Sequence, residues 1–107
     1  YFHRISFACM NNYMVEIELP AFMGPDFMDL IPKQREFVNQ MFDKGTITGY
    51  SLTADRSKLW VSVAAENMAE VDGIIRKFPI LRYITYNIHE LMLHESAMVL
   101  IPSISLN

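Results

Sequence analysis

The sequence predicts an α+β fold in which two helices cover one face of a four-stranded antiparallel sheet. Two observations lead there. Residues 13–19 and 59–65 alternate apolar and polar side chains with the period of a strand, whereas residues 27–42 and 68–78 carry apolar side chains at helical spacing. Proline, glycine or short polar stretches separate these segments, giving the order strand, helix, strand, strand, helix, strand. That βαββαβ order is the split, ferredoxin-like arrangement. Two helices cover one face of such a sheet, so the other is left to solvent or to a second subunit.

The first strand sets Tyr13, Val15, Ile17 and Leu19 against Met14, Glu16 and Glu18, and Pro20 ends it because proline donates no ladder hydrogen bond. Pro25 and Asp26 open a helical segment that runs to Lys44 and stops at Gly45. Its stripe is Phe27, Leu30, Ile31, Gln34, Val38, Met41 and Phe42, and Pro32 either begins the helix proper near Asp29 or kinks it. Residues 46–53 have strand composition, the polar run Ala54-Asp55-Arg56-Ser57 makes a hairpin loop, and residues 59–65 return. Asn67 with Glu70 forms a capping pattern for a second helix, whose stripe is Met68, Val71, Ile74, Ile75 and Phe78 before Pro79. Residues 81–93 are expected as one long last strand. Residues 1–12 read as an N-terminal extension with edge-strand alternation, residues 13–96 as the domain, and residues 97–107 as an apolar tail.

A chain of 107 residues encloses one core, and 51% hydrophobic with 20% charged residues suits a packed globule. The formal net charge of -3 and scattered basic residues argue against nucleic acid or an anionic membrane surface as partner. No apolar run approaches the ~18 residues that cross a bilayer. Cys9 is the single cysteine, so it has no disulfide partner within the chain, and a reducing, cytoplasmic setting is expected. The histidines His3, His89 and His94 lack metal-ligand spacing, and no glycine-rich phosphate loop occurs, so neither metal nor cofactor is implied.

If Val15, Ile17, Val61 and Val63 meet the helices, the opposite face carries Met14, Glu16, Glu18, Trp60, Ser62 and Ala64. The last strand adds Tyr83, Thr85, Asn87 and His89 to that face and turns Ile84, Tyr86 and Ile88 inward. Aromatic rings mixed with carboxylates, hydroxyls and an imidazole are typical of a ligand cavity.

Several stretches resemble the muconolactone isomerase family, within the dimeric α/β-barrel group. They are Met14-Val15-Glu16-Ile17-Glu18-Leu19-Pro20, Phe42-Asp43-Lys44-Gly45, Phe78-Pro79-Ile80-Leu81-Arg82-Tyr83 and the ending His94-Glu95-Ser96. The resemblance implies two sheets packed face to face in a homodimer or larger ring, with the tail reaching a neighbouring subunit. It also implies a cofactor-free 1,3 proton shift on an unsaturated lactone. The chain departs from the family pattern at Tyr50-Ser51-Leu52, where the family carries an aromatic-Arg pair before glycine, and at Glu16 or Glu18, where it carries a basic residue.

A proton shift needs a base and an acid within reach of one molecule. Glu16 and His89 are the candidate catalytic pair, Glu16 gaining basicity if water-poor surroundings raise its pKa. Tyr50 and Tyr83 are candidates to hold a substrate oxygen, Trp60 to line the pocket or anchor an interface, and Arg35 and Arg82 to bind a carboxylate. Three functions share this frame: an isomerase of a small organic acid or lactone, a non-catalytic small-molecule binder or regulator, and an oxygen-using or haem-handling oxidase.

Overall fold

The computed structural model of the protein describes residues 10–95. The expected edge strand in residues 1–9, Cys9, His3, Ser96 and the apolar tail lie outside that range. Strand β1 (Asn11–Glu18) is central, pairing antiparallel with β3 (Lys58–Ala65) on one side and β4 (Thr85–Leu91) on the other. Strand β2 (Ile47–Leu52) completes the sheet beside β3, so the order is β2-β3-β1-β4. This is the α+β, ferredoxin-like fold that the sequence predicts.

The alternation of the strands assigns the two faces as expected. Tyr13, Val15, Ile17, Leu59, Val61 and Val63 are buried beneath the helices, while Met14, Glu16, Trp60 and Ala64 point the other way and remain partly exposed. β1 begins at Asn11, two residues inside the stretch read as an extension.

The first helical segment is two helices. A single turn, α1 (Pro25–Met28), precedes α2 (Ile31–Asp43), which has Pro32 within its first turn. Pro32 thus starts a helix, because a first-turn residue needs no N–H donor. Gln34, Val38 and Met41 are buried, and the helix ends where Gly45 takes φ 75°. Helix α3 (Met68–Ile75) is capped by Asn67, whose side chain accepts from the Glu70 N–H, while the Glu70 carboxylate accepts from the Glu66 N–H. Val71 and Ile75 are buried; Asp72 ties the helix to β4 by accepting from the Tyr86 hydroxyl at 2.5 Å, and it also accepts from Arg76 Nε, one turn on at the end of the same helix, at 2.6 Å.

The last strand is shorter than expected. Leu81–Tyr83 forms a 3-10 turn instead, because the chain leaving α3 still has to bury Phe78 and Ile80 before it can join the sheet. Tyr83 therefore does not belong to the open face: it packs against the core, edge-on to Phe27 at 5.4 Å and 85°.

A bulge between Ile47 and Gly49 breaks the β2–β3 register. A Cβ at Gly49 would stand 2.6 Å from Ser62 Oγ and would push that hydroxyl from its place, where it bonds Thr48 Oγ1 at 2.8 Å. The β2–β3 loop is held by Asp55, whose Oδ1 accepts from Thr53 Oγ1, Ser57 N and Ser57 Oγ at 2.8, 3.0 and 2.8 Å. Those donors hold its carboxyl down at about 2 from an ordinary 3.8, the Ser57 N–H contributing most. A depressed carboxylate stabilises the fold above its unfolded pKa and loses that contribution as pH falls through its folded one. Acid titration followed by circular dichroism should therefore show stability falling between pH 3.8 and about 2. Asp55→Asn should remove that part of the slope and lower the neutral-pH melting temperature.

Candidate functional site

The open face of the sheet gathers part of the expected site. In the register, Glu16 stands opposite Trp60 on β3 and Asn87 on β4, which puts Lys58 and His89 one diagonal step away. Lys58 Nζ donates to Glu16 Oε2 at 2.5 Å, His89 Nε2 lies 3.3 Å from Glu16 Oε1, and Glu18 Oε2 is 3.5 Å from the same ammonium. The Lys58 ammonium also sits 5.9 Å from the centroid of the Trp60 ring. The pairing of Glu16 with His89 is as expected, but its electrostatics are not. Hydrogen bonds from Lys58 and then His89 hold the Glu16 carboxyl below the ordinary carboxylate value, outweighing desolvation, and Glu16 in turn raises Lys58. Glu16 is a weaker base here than burial alone would make it. Lys58 is the member that sequence reading missed; only the β1–β3 register reveals it.

A second site lies on the opposite side of the sheet. A cavity of ≈ 570 Å³ opens between α1, α2 and the sheet, walled by apolar side chains that include Leu19, Met23, Phe27, Phe42 and Leu59. Phe42, which the apolar stripe placed in the core, is 41% exposed, and Met28 is 48% exposed; both border this opening. Among the described residues, no carboxylate or imidazole lines it. Its polar groups are Gln34, Arg35 and Asn39 from α2, Tyr50 from β2 and Arg56 from the β2–β3 loop.

Tyr50 is thus turned under the helix layer, not toward the open face. It pairs with Val61 in the inward row, and Gln34 Nε2 donates to its hydroxyl at 3.3 Å. Burial raises its pKa, against the smaller opposing effects of Gln34 and Arg35, so the phenol keeps its proton at neutral pH. Gln34 is 3% exposed, and its Oε1 is buried with no hydrogen-bond partner. Arg56 is the only non-glycine residue with positive φ among the described residues, at 63°. The Asp55–Thr53–Ser57 bonds hold the loop in that shape. Neither Arg35 nor Arg56 has a carboxylate within 4.0 Å among the described residues.

The expected site residues therefore divide three ways. Glu16, His89 and Trp60 share the open face; Tyr50 and Arg35 share the cavity; Arg82 and Tyr83 belong to neither. Arg82 is exposed and stacks over Tyr83 at 5.4 Å, with no carboxylate partner within 4.0 Å among the described residues. Tyr83 packs on Phe27, which lines the cavity, but is not itself part of the lining.

Among the described residues no group of three or more His, Cys, Asp or Glu side chains forms a metal site, and no helix is long and apolar enough to cross a membrane. Compared with known proteins, the chain matches no family model and no curated protein.

Proposed function

We propose that the chain is a small-molecule-binding domain that takes an organic acid with an apolar body in the cavity between α2 and the sheet. One observation carries this reading: an apolar cavity large enough for such a molecule has two arginines, Arg35 and Arg56, at its edge without carboxylate partners among the described residues. Arg56 lines the cavity from a loop fixed by the Asp55, Thr53 and Ser57 hydrogen bonds, so its backbone is held in one place. The lining offers a phenol, two amides and two guanidinium groups but no carboxylate or imidazole to act as base, which suits recognition better than proton transfer. Titration with phenylpropanoate followed by NMR should shift the resonances of cavity residues. Replacing Arg35 and Arg56 together, as Arg35→Ala and Arg56→Gly, should weaken binding about tenfold or more, because hydrogen bonds to charged groups contribute ~1.5–3 kcal/mol. Arg56→Gly alone should not lower the melting temperature, since glycine tolerates positive φ. Equal affinity for the acid and its methyl ester would remove the anion-binding role.

A second reading belongs to the open face. The resemblance to muconolactone isomerases and the meeting of Glu16 with His89 support a barrel closed by a second copy, in which this pair moves a proton on an unsaturated lactone. Half-buried Met14, Trp60 and Ala64 give that face apolar surface to cover, and a reducing cytoplasm suits a chain with one cysteine. Light scattering at micromolar concentration should then report a dimer or larger even-numbered assembly, and Trp60→Glu should dissociate it; a wild-type monomer removes the barrel. Exchange of an unsaturated lactone carboxylate into deuterated water, followed by NMR, should be catalysed by the wild type and abolished by Glu16→Gln. A wild type without exchange leaves Glu16 and His89 as a structural pair.

A further inference from the structure

The polar pair inside the cavity specifies more than an acid. Gln34 is almost completely buried, yet it lies in the apolar stripe of α2 and borders the cavity. Its Nε2 is engaged with the Tyr50 hydroxyl, and its Oε1 is sealed from water without a donor. An unpaired buried acceptor is costly, and an aliphatic side chain at this position would avoid the cost. The Tyr50 hydroxyl accepts the Gln34 N–H and commits its own proton to no acceptor among the described residues. The pair thus holds one unused acceptor beside one unused donor, in the lining of a mainly apolar cavity whose two arginines are exposed.

We infer that the ligand carries a hydroxyl group on its apolar body, seated between Gln34 and Tyr50, with its acidic group toward Arg35 and Arg56. This rests on the small-acid reading above and names the substrate class within it: hydroxylated apolar carboxylic acids. A hydroxyl donates one proton to Gln34 Oε1 and accepts one from Tyr50, so a single small group completes both. A ketone or second carboxylate offers only acceptors and leaves Oε1 unpaired. An ammonium offers no acceptor to Tyr50 and brings positive charge into a cavity edged by guanidinium groups. Access to the buried amide requires the cavity wall to yield, and that wall includes Met23 and Met28, side chains that repack at little cost.

Matched acids test this. Calorimetric titration of the full chain would compare phenylacetate with para-hydroxyphenylacetate, and phenylpropanoate with para-hydroxyphenylpropanoate. The hydroxylated member of at least one pair should bind about tenfold or more tightly. Gln34→Leu and, separately, Tyr50→Phe should erase that preference, each variant binding the two members of a pair with affinities within about twofold of each other. Circular dichroism melting confirms that each variant folds, and either variant alone suffices for the test. Parent and hydroxylated acids binding equally well would overturn the hydroxyl site and leave the small-acid reading standing. Binding of no acid at millimolar concentration would overturn both.

Discussion

The two-sided pairing of β1 is the constraint from which the rest of the structure follows. A central strand has neighbours on both edges, so its side-chain alternation is imposed on β3 and β4 through the register. Val15 and Ile17 face the helices and are completely buried; Glu16, between them, faces outward between Trp60 and Asn87. A slip of one residue would exchange these sets, burying a carboxylate and exposing the aliphatic centre of the core. The hydrophobic demand of the inner face therefore also dictates which polar groups meet on the outer one. Glu16, Lys58 and His89 come together through that requirement.

The helix layer works differently. α1 and α2 are separate helices, and the break between them leaves space that their apolar side chains do not fill. Phe27 is buried, whereas Met28 and Phe42 are left at the opening. The apolar stripe is wider than the core needs, and the surplus becomes cavity wall. Into that wall the chain places a buried amide, a protonated phenol and two guanidinium groups, a combination suited to orienting a bound molecule. The open face holds the opposite chemistry, a carboxylate kept ionised by a neighbouring ammonium.

Much of the fold was legible from strict alternation and helical spacing, because both are local consequences of backbone geometry. The site was only partly legible. Gln34 did carry a signal: a polar residue in an otherwise apolar stripe at Phe27, Val38 and Met41 has to find a partner or a ligand. Tyr50 was ambiguous because a bulge at Ile47 and Gly49 precedes it in β2, and a bulge interrupts the simple period that would assign its face. Tyr83 was misplaced because an apolar-aromatic run after proline reads equally as strand or tight turn, and here the turn at Leu81–Tyr83 prevails. Arg56 gave no signal beyond belonging to a polar loop; its aim depends on Asp55, Thr53 and Ser57 closing around it.

The sequence by itself determined the order of elements, the inward residues of β1 and β3, and the cap of α3, since each depends on neighbours a few residues away. Only the tertiary structure decided which candidates share a site. Glu16 and His89 are 73 positions apart in the chain, and Gln34 and Tyr50 are 16 apart. What joins each pair is the strand register or the seating of α2 on the sheet, and both are settled by packing across the whole domain.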